Sequence, residues 1–306
     1  MTEKLVHGLY AAVLTPRRLD DSVDEAGFAR VLEFLIERGV SSFAVNGATS
    51  EFCLTSPQDL KTVFAVLRKT APHATVLCGV GAAGTAESIE LSRIAAGEGA
   101  RALLLPMPYF FPYQQQDLEE FSRTVAGAVT LPVLLYNLPD FTSGLDAETA
   151  CRIIREVPNV IGIKDSGHSL DTLRLLTSHQ IPCCRMVGND GLLVEALRQN
   201  VCDGVVSGIA CVLPELTRAI LEAAAQTDDD KLNQLSAMLD ALKEELSQLP
   251  VPWGLKWIAE ARGILRARFS QPVAAQRMQQ GRALMAWYHQ WQASLSNCSS
   301  SLALIQ

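Results

Sequence analysis

The sequence predicts an α/β protein, a (β/α)8 TIM barrel with a C-terminal three-helix domain. Three observations carry that prediction. Short apolar runs alternate with amphipathic helical stretches eight times over residues 1–226. The first run ends "VLTPRRLDD", with no glycine fingerprint, which argues against a dinucleotide-binding open sheet. Beyond residue 226 the alternation stops and only helical spacing remains.

The predicted strands lie in "GLYAAVLTP" (8–16), "SFAVNG" (42–47), "TVLCGV" (75–80), "RALLLP" (101–106), "PVLLYN" (132–137), "VIGIK" (160–164), "CRMVG" (184–188) and "DGVVSG" (203–208). In the first helix Phe28, Val31, Leu32, Leu35 and Ile36 follow helical spacing. Ser22 and Glu25 are candidates for a capping box, and Gly39 is placed to end the helix. Ser56-Pro57 opens the second helix with a cap residue and a proline at the first helical position. The third is expected to start at Thr85.

The link "TDDDK" (227–231) leads into the second unit, residues 227–306. Leu232, Leu235, Leu239, Leu242 and Leu246 define a helix face, Pro250 and Pro252 break it, and helical segments follow over 253–264 and 272–293. The tail "SLSNCSSSLALIQ" (294–306) carries little pattern.

The chain has 306 residues, 48% of them hydrophobic and 19% charged, enough for a large core. A net charge of −7 and the absence of a basic run exclude nucleic acid and anionic membrane as main partners. The eight cysteines include no CxxC; most sit in or beside apolar stretches, and they read as reduced thiols of a cytoplasmic protein. The N-terminus "MTEKLVHGLY" has no signal-peptide apolar region, and no run approaches the ~20 apolar residues of a membrane span. The five histidines lack ligand spacing, so no metal site is expected.

Functional groups of such barrels gather at the C-terminal ends of the strands. Those ends carry Thr15, "NGATSE" (46–51), "PMPYFFPY" (106–113), "YNLP" (136–139), Lys164, "GND" (188–190) and "VSG" (206–208). A lysine closing an apolar strand is unusual unless it is exposed, paired or put to use. Drawn into an apolar pocket, a lysine amine loses its proton more readily and can attack a ketone to give a Schiff base. The protonated imine is an electron sink that permits carbon–carbon cleavage or formation next to the former carbonyl. Tyr136 ends the neighbouring strand, within reach to move protons. The loop "GATSE" offers backbone N–H groups and the Thr49 and Ser50 hydroxyls to a carboxylate. Together these point to a 2-keto acid site. The plain alternatives are an ion-paired lysine, a capped turn at Tyr136-Asn137 and an ordinary small-residue turn at 47–50. Asp165 reads as a turn residue.

Three motifs in this order resemble the dihydrodipicolinate synthase / N-acetylneuraminate lyase family of class I pyruvate-dependent aldolases. They are "GATSE" (47–51), "YNLPDFTSG" (136–144) and "VIGIKDSG" (160–167), and "PVPWGLKW" (250–257) resembles a stretch of the family's helical domain. The resemblance implies the barrel with three C-terminal helices, a homotetramer built as a dimer of dimers, no metal and no organic cofactor. By position it implies that Lys164 forms the imine with pyruvate or another 2-keto acid and that Tyr136 is the acid/base phenol. Thr49 and the Ala48 N–H would hold the keto-acid carboxylate, Val206 would border the bound pyruvate, and Glu51 would support the loop.

Three positions depart from the family's synthases. Ala48 replaces the first of two threonines, Phe110 replaces a tyrosine that relays protons across a dimer interface, and Phe141 replaces an arginine that grips the aldehyde's carboxylate. The expected function is therefore a lyase or aldolase that splits a 2-keto-3-deoxy acid into pyruvate and an aldehyde, or joins them. Dihydrodipicolinate synthase, condensing pyruvate with aspartate semialdehyde, is the alternative. A sugar-acid dehydratase and a non-catalytic keto-acid-binding paralogue are further readings.

Overall fold

The computed structural model describes residues 5–298. Eight strands form one closed parallel barrel in sequence order. They are β1 (Gly8–Ala12), β2 (Ser42–Val45), β3 (Thr75–Gly79), β4 (Ala102–Pro106), β5 (Val133–Asn137), β6 (Val160–Asp165), β7 (Cys184–Val187) and β8 (Gly204–Ser207). The helices α1 (Glu25–Ile36), α2 (Pro57–Thr70), α3 (Thr85–Gly97), α4 (Gln115–Gly127), α5 (Ala147–Glu156), α6 (Asp171–Ser178), α7 (Leu193–Arg198) and α8 (Pro214–Ala225) alternate with them. Three more follow: α9 (Asp229–Ser247), α10 (Trp253–Ala261) and α11 (Ala275–Cys298).

Side chains alternate faces along each strand, so the barrel has two cores. Leu77, Leu104, Leu134, Tyr136, Met186 and Val206 belong to the cluster that fills the interior. The other face of the strands packs on the helices, in a core that runs without a break into Leu235, Leu239, Trp257 and Tyr288 of the C-terminal helices. The last eight residues of the tail, 299–306, lie outside the described residues, while 294–298 close α11.

Helix starts follow local chemistry. Ser56 caps α2 through a capping box with Asp59, with Pro57 behind it, and α3 begins at Thr85 as the sequence predicts. At α1 the structure differs. Asp24 is the cap, accepting from the Gly27 N–H at 3.1 Å, while the Ser22 hydroxyl donates to Asp20 at 2.6 Å. A bridge between Arg17 and Val23 holds the chain extended up to that point, which leaves the nearer carboxylate to do the capping. Gly39 turns the chain after α1 at φ +74°, while Ile36, 42% exposed, falls outside the buried stripe. Cys78, Cys151, Cys183, Cys184, Cys202 and Cys211 are buried, whereas Cys53 is exposed.

One irregularity sets the site. Between β5 and β6 the pairing passes from Val133↔Val160 to Leu134↔Gly162, so Ile161 is an extra residue. Gly162 sits at φ +157°, and a Cβ there would run into the backbone of Cys184. Because strand side chains alternate, this one-residue bulge decides which of Ile163 and Lys164 faces inward. It pairs Lys164 with Tyr136 and turns Ile163 to the helix-side core.

Candidate active site

A cavity of about 360 Å³ opens at the C-terminal mouth of the barrel. Ala48, Thr49, Tyr136, Phe141, Lys164 and Val206 all line it. Lys164 is 3% exposed, and its Nζ lies 3.9 Å from the centroid of the Tyr136 ring. That is cation–π distance. Lys164 has no ion pair among the described residues. A Cβ on Gly188 would strike its side chain, so that glycine leaves the lysine its room.

The strand ends are tied together behind this pair. The Asn137 amide donates to Asp165 at 3.0 Å and accepts from the Leu145 N–H at 3.0 Å. Asp165 also accepts from the Gly167 N–H at 2.8 Å, and the Asn189 amide donates to the Gly167 carbonyl at 3.0 Å. Burial raises the Asp165 carboxyl above the ordinary carboxylate range, opposed by these hydrogen bonds. Asn137, Asp165 and Gly167 thus tie together the strand ends that carry Tyr136 and Lys164.

The loop after β2 is held as firmly. Asn46 and Glu51, at its two ends, take left-handed φ of 53° and 57°. Asparagine adopts this readily, but for glutamate it costs on the order of 1–2 kcal/mol. Two contacts hold the shape. The Asn46 amide donates to the Gly79 carbonyl at 2.8 Å, and Lys256 of α10 donates to Glu51 at 2.5 Å. The Ala48 and Thr49 N–H groups and the Thr49 hydroxyl make no hydrogen bond to described residues, so they remain available to a ligand carboxylate. The Ser50 hydroxyl is not available, since it donates to the Val13 carbonyl at 2.7 Å.

The Lys256–Glu51 pair is 7% and 13% exposed. Lys256→Met leaves Glu51 largely shielded from water and unpaired, and we expect a loss of roughly 3 kcal/mol, the low end for a broken buried pair, in thermal or urea denaturation. Adding Glu51→Gln should restore part of that loss. An unchanged midpoint for Lys256→Met would show that the pair does not hold the loop.

Two charged lining residues lie outside the motif-based set. Asp190 accepts from the Ser207 hydroxyl and, at 3.3 Å, from the Ile209 N–H. Burial raises its carboxyl, and the hydrogen bonds and the charge of Lys164 act against that rise. The triplet "GND" marked its strand end but not which residue would turn inward. Lys243 is carried by α9, and its amine packs against Gly191 at the mouth. No motif signals it, because its place depends on how α9 lies across the barrel.

A raised carboxyl contributes stability that is fully present below its unfolded value of 3.8 and is lost as pH rises through its folded value. Asp190→Asn removes this contribution. The melting temperature of the variant should therefore gain on the wild type over the range of rising pH above 3.8. A constant difference over that range would contradict the assignment.

Phe141 is 49% exposed at the rim. Phe110 is absent from the cavity of its own chain: it is 86% exposed, at φ +84°, with its ring 5.0 Å from that of the exposed Phe111. Among the described residues no group of three or more His, Cys, Asp or Glu side chains forms a metal site. No described helix is long and apolar enough to cross a membrane.

This barrel, with a lysine and a tyrosine side by side at its mouth, is the architecture of the pyruvate-dependent lyases and aldolases, and that is the class of this protein. The chain belongs to the dihydrodipicolinate synthetase family, whose model matches residues 5–290. It is 32% identical over 267 residues to the 4-hydroxy-tetrahydrodipicolinate synthase of Thioalkalivibrio sulfidiphilus, covering 85% of this chain and 89% of that protein. A dihydrodipicolinate synthase from Acinetobacter baumannii, solved in complex with pyruvate, superposes with a TM-score of 0.83 at 28% identity, over 92% of this chain and 98% of that one. The N-acetylneuraminate lyase of Mycoplasma synoviae shares the fold, with a TM-score of 0.79 at 22% identity over 93% and 98% of the two chains.

Proposed function

We propose that Lys164 forms a Schiff base with the keto carbon of a 2-keto-3-deoxy acid and that Tyr136 moves the protons of its cleavage to pyruvate and an aldehyde. The observation that carries this reading is a lysine only 3% exposed, without an ion pair among the described residues, against the ring of Tyr136. In the cleavage direction the Lys164 amine adds to the C2 carbonyl and water leaves. Tyr136 takes the C4-hydroxyl proton, the C3–C4 bond breaks, and its electron pair passes into the imine as an enamine. The aldehyde departs, C3 is reprotonated, and hydrolysis of the imine frees pyruvate and Lys164. The Ala48 and Thr49 N–H groups and the Thr49 hydroxyl hold the carboxylate, and Val206 borders the reacting carbons. The departures at Ala48 and Phe110 leave Tyr136 without the family's relay, and the Ser50 hydroxyl is committed to the Val13 carbonyl just after β1. The substrate's own hydroxyl, or water, takes that part.

The same cavity also carries Asp140, Ser166, Asn189, Asp190, Lys243 and Ser247. Such a mixture of donors and acceptors suits a polyhydroxylated chain. A second reading, condensation with aspartate semialdehyde, has one observation in its favour. Phe141 offers no charge, but Lys243 lines the same cavity. A lysine is a single-point partner, without the fork an arginine presents to a carboxylate.

The test is a retro-aldol screen of 2-keto-3-deoxy acids, with released pyruvate coupled to lactate dehydrogenase, beside condensation with aspartate semialdehyde. We expect turnover of an uncharged polyhydroxylated aldehyde pair and poor use of aspartate semialdehyde. Phe141→Arg should shift preference towards the charged aldehyde by about tenfold, one charge-assisted pair or about 1.4 kcal/mol. Efficient dihydrodipicolinate formation by the unmodified protein, lost in Lys243→Met, would establish the second reading instead.

The exposed Phe110–Phe111 pair supports association with a second copy at the β4–α4 loop, within a homotetramer, and light scattering on the purified protein measures the assembly. Its buried thiols fit a cytoplasmic protein.

A further inference from the structure

A second cavity, of about 240 Å³, shares no lining residue with the first. Its wall is basic: Arg17 and Arg18 follow β1, Arg30 stands on α1, Lys256 on α10, and Arg266 and Arg268 on the segment after α10. Two of these six are committed. Lys256 pairs with Glu51. Arg17, whose side chain is only 7% exposed, bonds Asp59 at 3.3 Å and the Asp21 carbonyl at 2.7 Å, and its buried Nε has no partner among the described residues. The side chains of the other four, Arg18, Arg30, Arg266 and Arg268, form no hydrogen bond or ion pair with described residues. Asp24 is the one carboxylate in the wall, and it is occupied in capping α1. Asp20 lies near enough to feel the charge of Arg18.

Four unpaired guanidinium groups around one small cavity repel one another, in a chain whose net charge is −7. Guanidinium forks match the oxygens of phosphates and carboxylates. The cavity lies below the roughly 300–1,000 Å³ of drug-sized sites, so its ligand is compact. We propose that this pocket is a second binding site, for a small anion carrying two or more negative charges, and that it reports to the substrate loop through Lys256. An anion drawn to the arginines competes with Glu51 for the Lys256 ammonium. Glu51 in turn holds the strained end of the loop that carries Ala48 and Thr49. The binding claim does not depend on the reaction proposed above; only the link to the loop does.

The experiment is calorimetric titration of the whole protein with inorganic pyrophosphate and with citrate, at fixed ionic strength in chloride. The two arms tell a phosphoryl ligand from a polycarboxylate. We expect saturable binding of at least one probe, one site per chain. The double variant Arg266→Ser, Arg268→Ser should lose at least about tenfold in affinity while still forming the pyruvate adduct at Lys164. Saturating anion should also change the KM for the keto acid severalfold in the wild type and not in the double variant. No saturable binding of either probe, or equal binding by the double variant, would overturn the site. Binding with an unchanged KM would overturn the link through Lys256, and a lost adduct in the unmodified protein would count against the catalytic reading alone.

Discussion

Lys164→Ala is expected to lower turnover by on the order of 10⁴-fold, about 5.4 kcal/mol at 1.36 kcal/mol per decade. The covalent route disappears with the amine, and no remaining group replaces an imine as electron sink. The variant should nevertheless fold. Lys164 is buried with no ion pair among the described residues, so its removal takes a desolvated amine out of the interior. We expect the melting temperature to hold or rise, the usual relation between an active-site group and stability. Loss of activity together with unfolding would make Lys164 a structural residue. Retained turnover would remove it from the mechanism.

Tyr136→Phe carries the next largest effect. The hydroxyl is the only phenol lining the cavity among the described residues. A positioned acid/base group contributes typically 10²–10⁴-fold, and at least ~100-fold in kcat should be lost here. The ring packing against Lys164 survives the change, so imine formation with pyruvate should suffer less than cleavage. Steady-state turnover compared with trapping of the pyruvate adduct separates the two steps. Near wild-type turnover would show that the phenol does not move the proton.

Much of this site is legible in the chain itself, because it rests on strand periodicity. "VIGIK" places a lysine at a strand end, "PVLLYN" places a tyrosine at the next, and a parallel barrel brings such ends to one mouth. What cannot be read depends on contacts between distant segments. The inward turn of Lys164 requires the bulge at Ile161, and Gly162 reveals its need for a glycine only once Cys184 lies beside it. Ser50 looks like a ligand hydroxyl until the Val13 carbonyl, just after β1, takes it as a donor. Asp24 displaces Ser22 as the α1 cap because the chain before it is held extended. Lys243 reaches the cavity only through the packing of a helix that follows the barrel. Glu51 is the intermediate case. Its supporting role is implied by the family resemblance, whereas its partner, Lys256, is found only in the fold.

The most direct test of the central claim is borohydride reduction of the protein in the presence of pyruvate, followed by peptide mass mapping. Two lysines line the cavity at the barrel mouth, Lys164 and Lys243, and Lys256 lies outside its lining, paired with Glu51. A Schiff-base mechanism at Lys164 predicts one pyruvate-derived mass per chain, on the peptide that carries Lys164, and none in Lys164→Ala. An adduct on Lys243 or Lys256, or no adduct in a protein that turns over a keto acid, would contradict it.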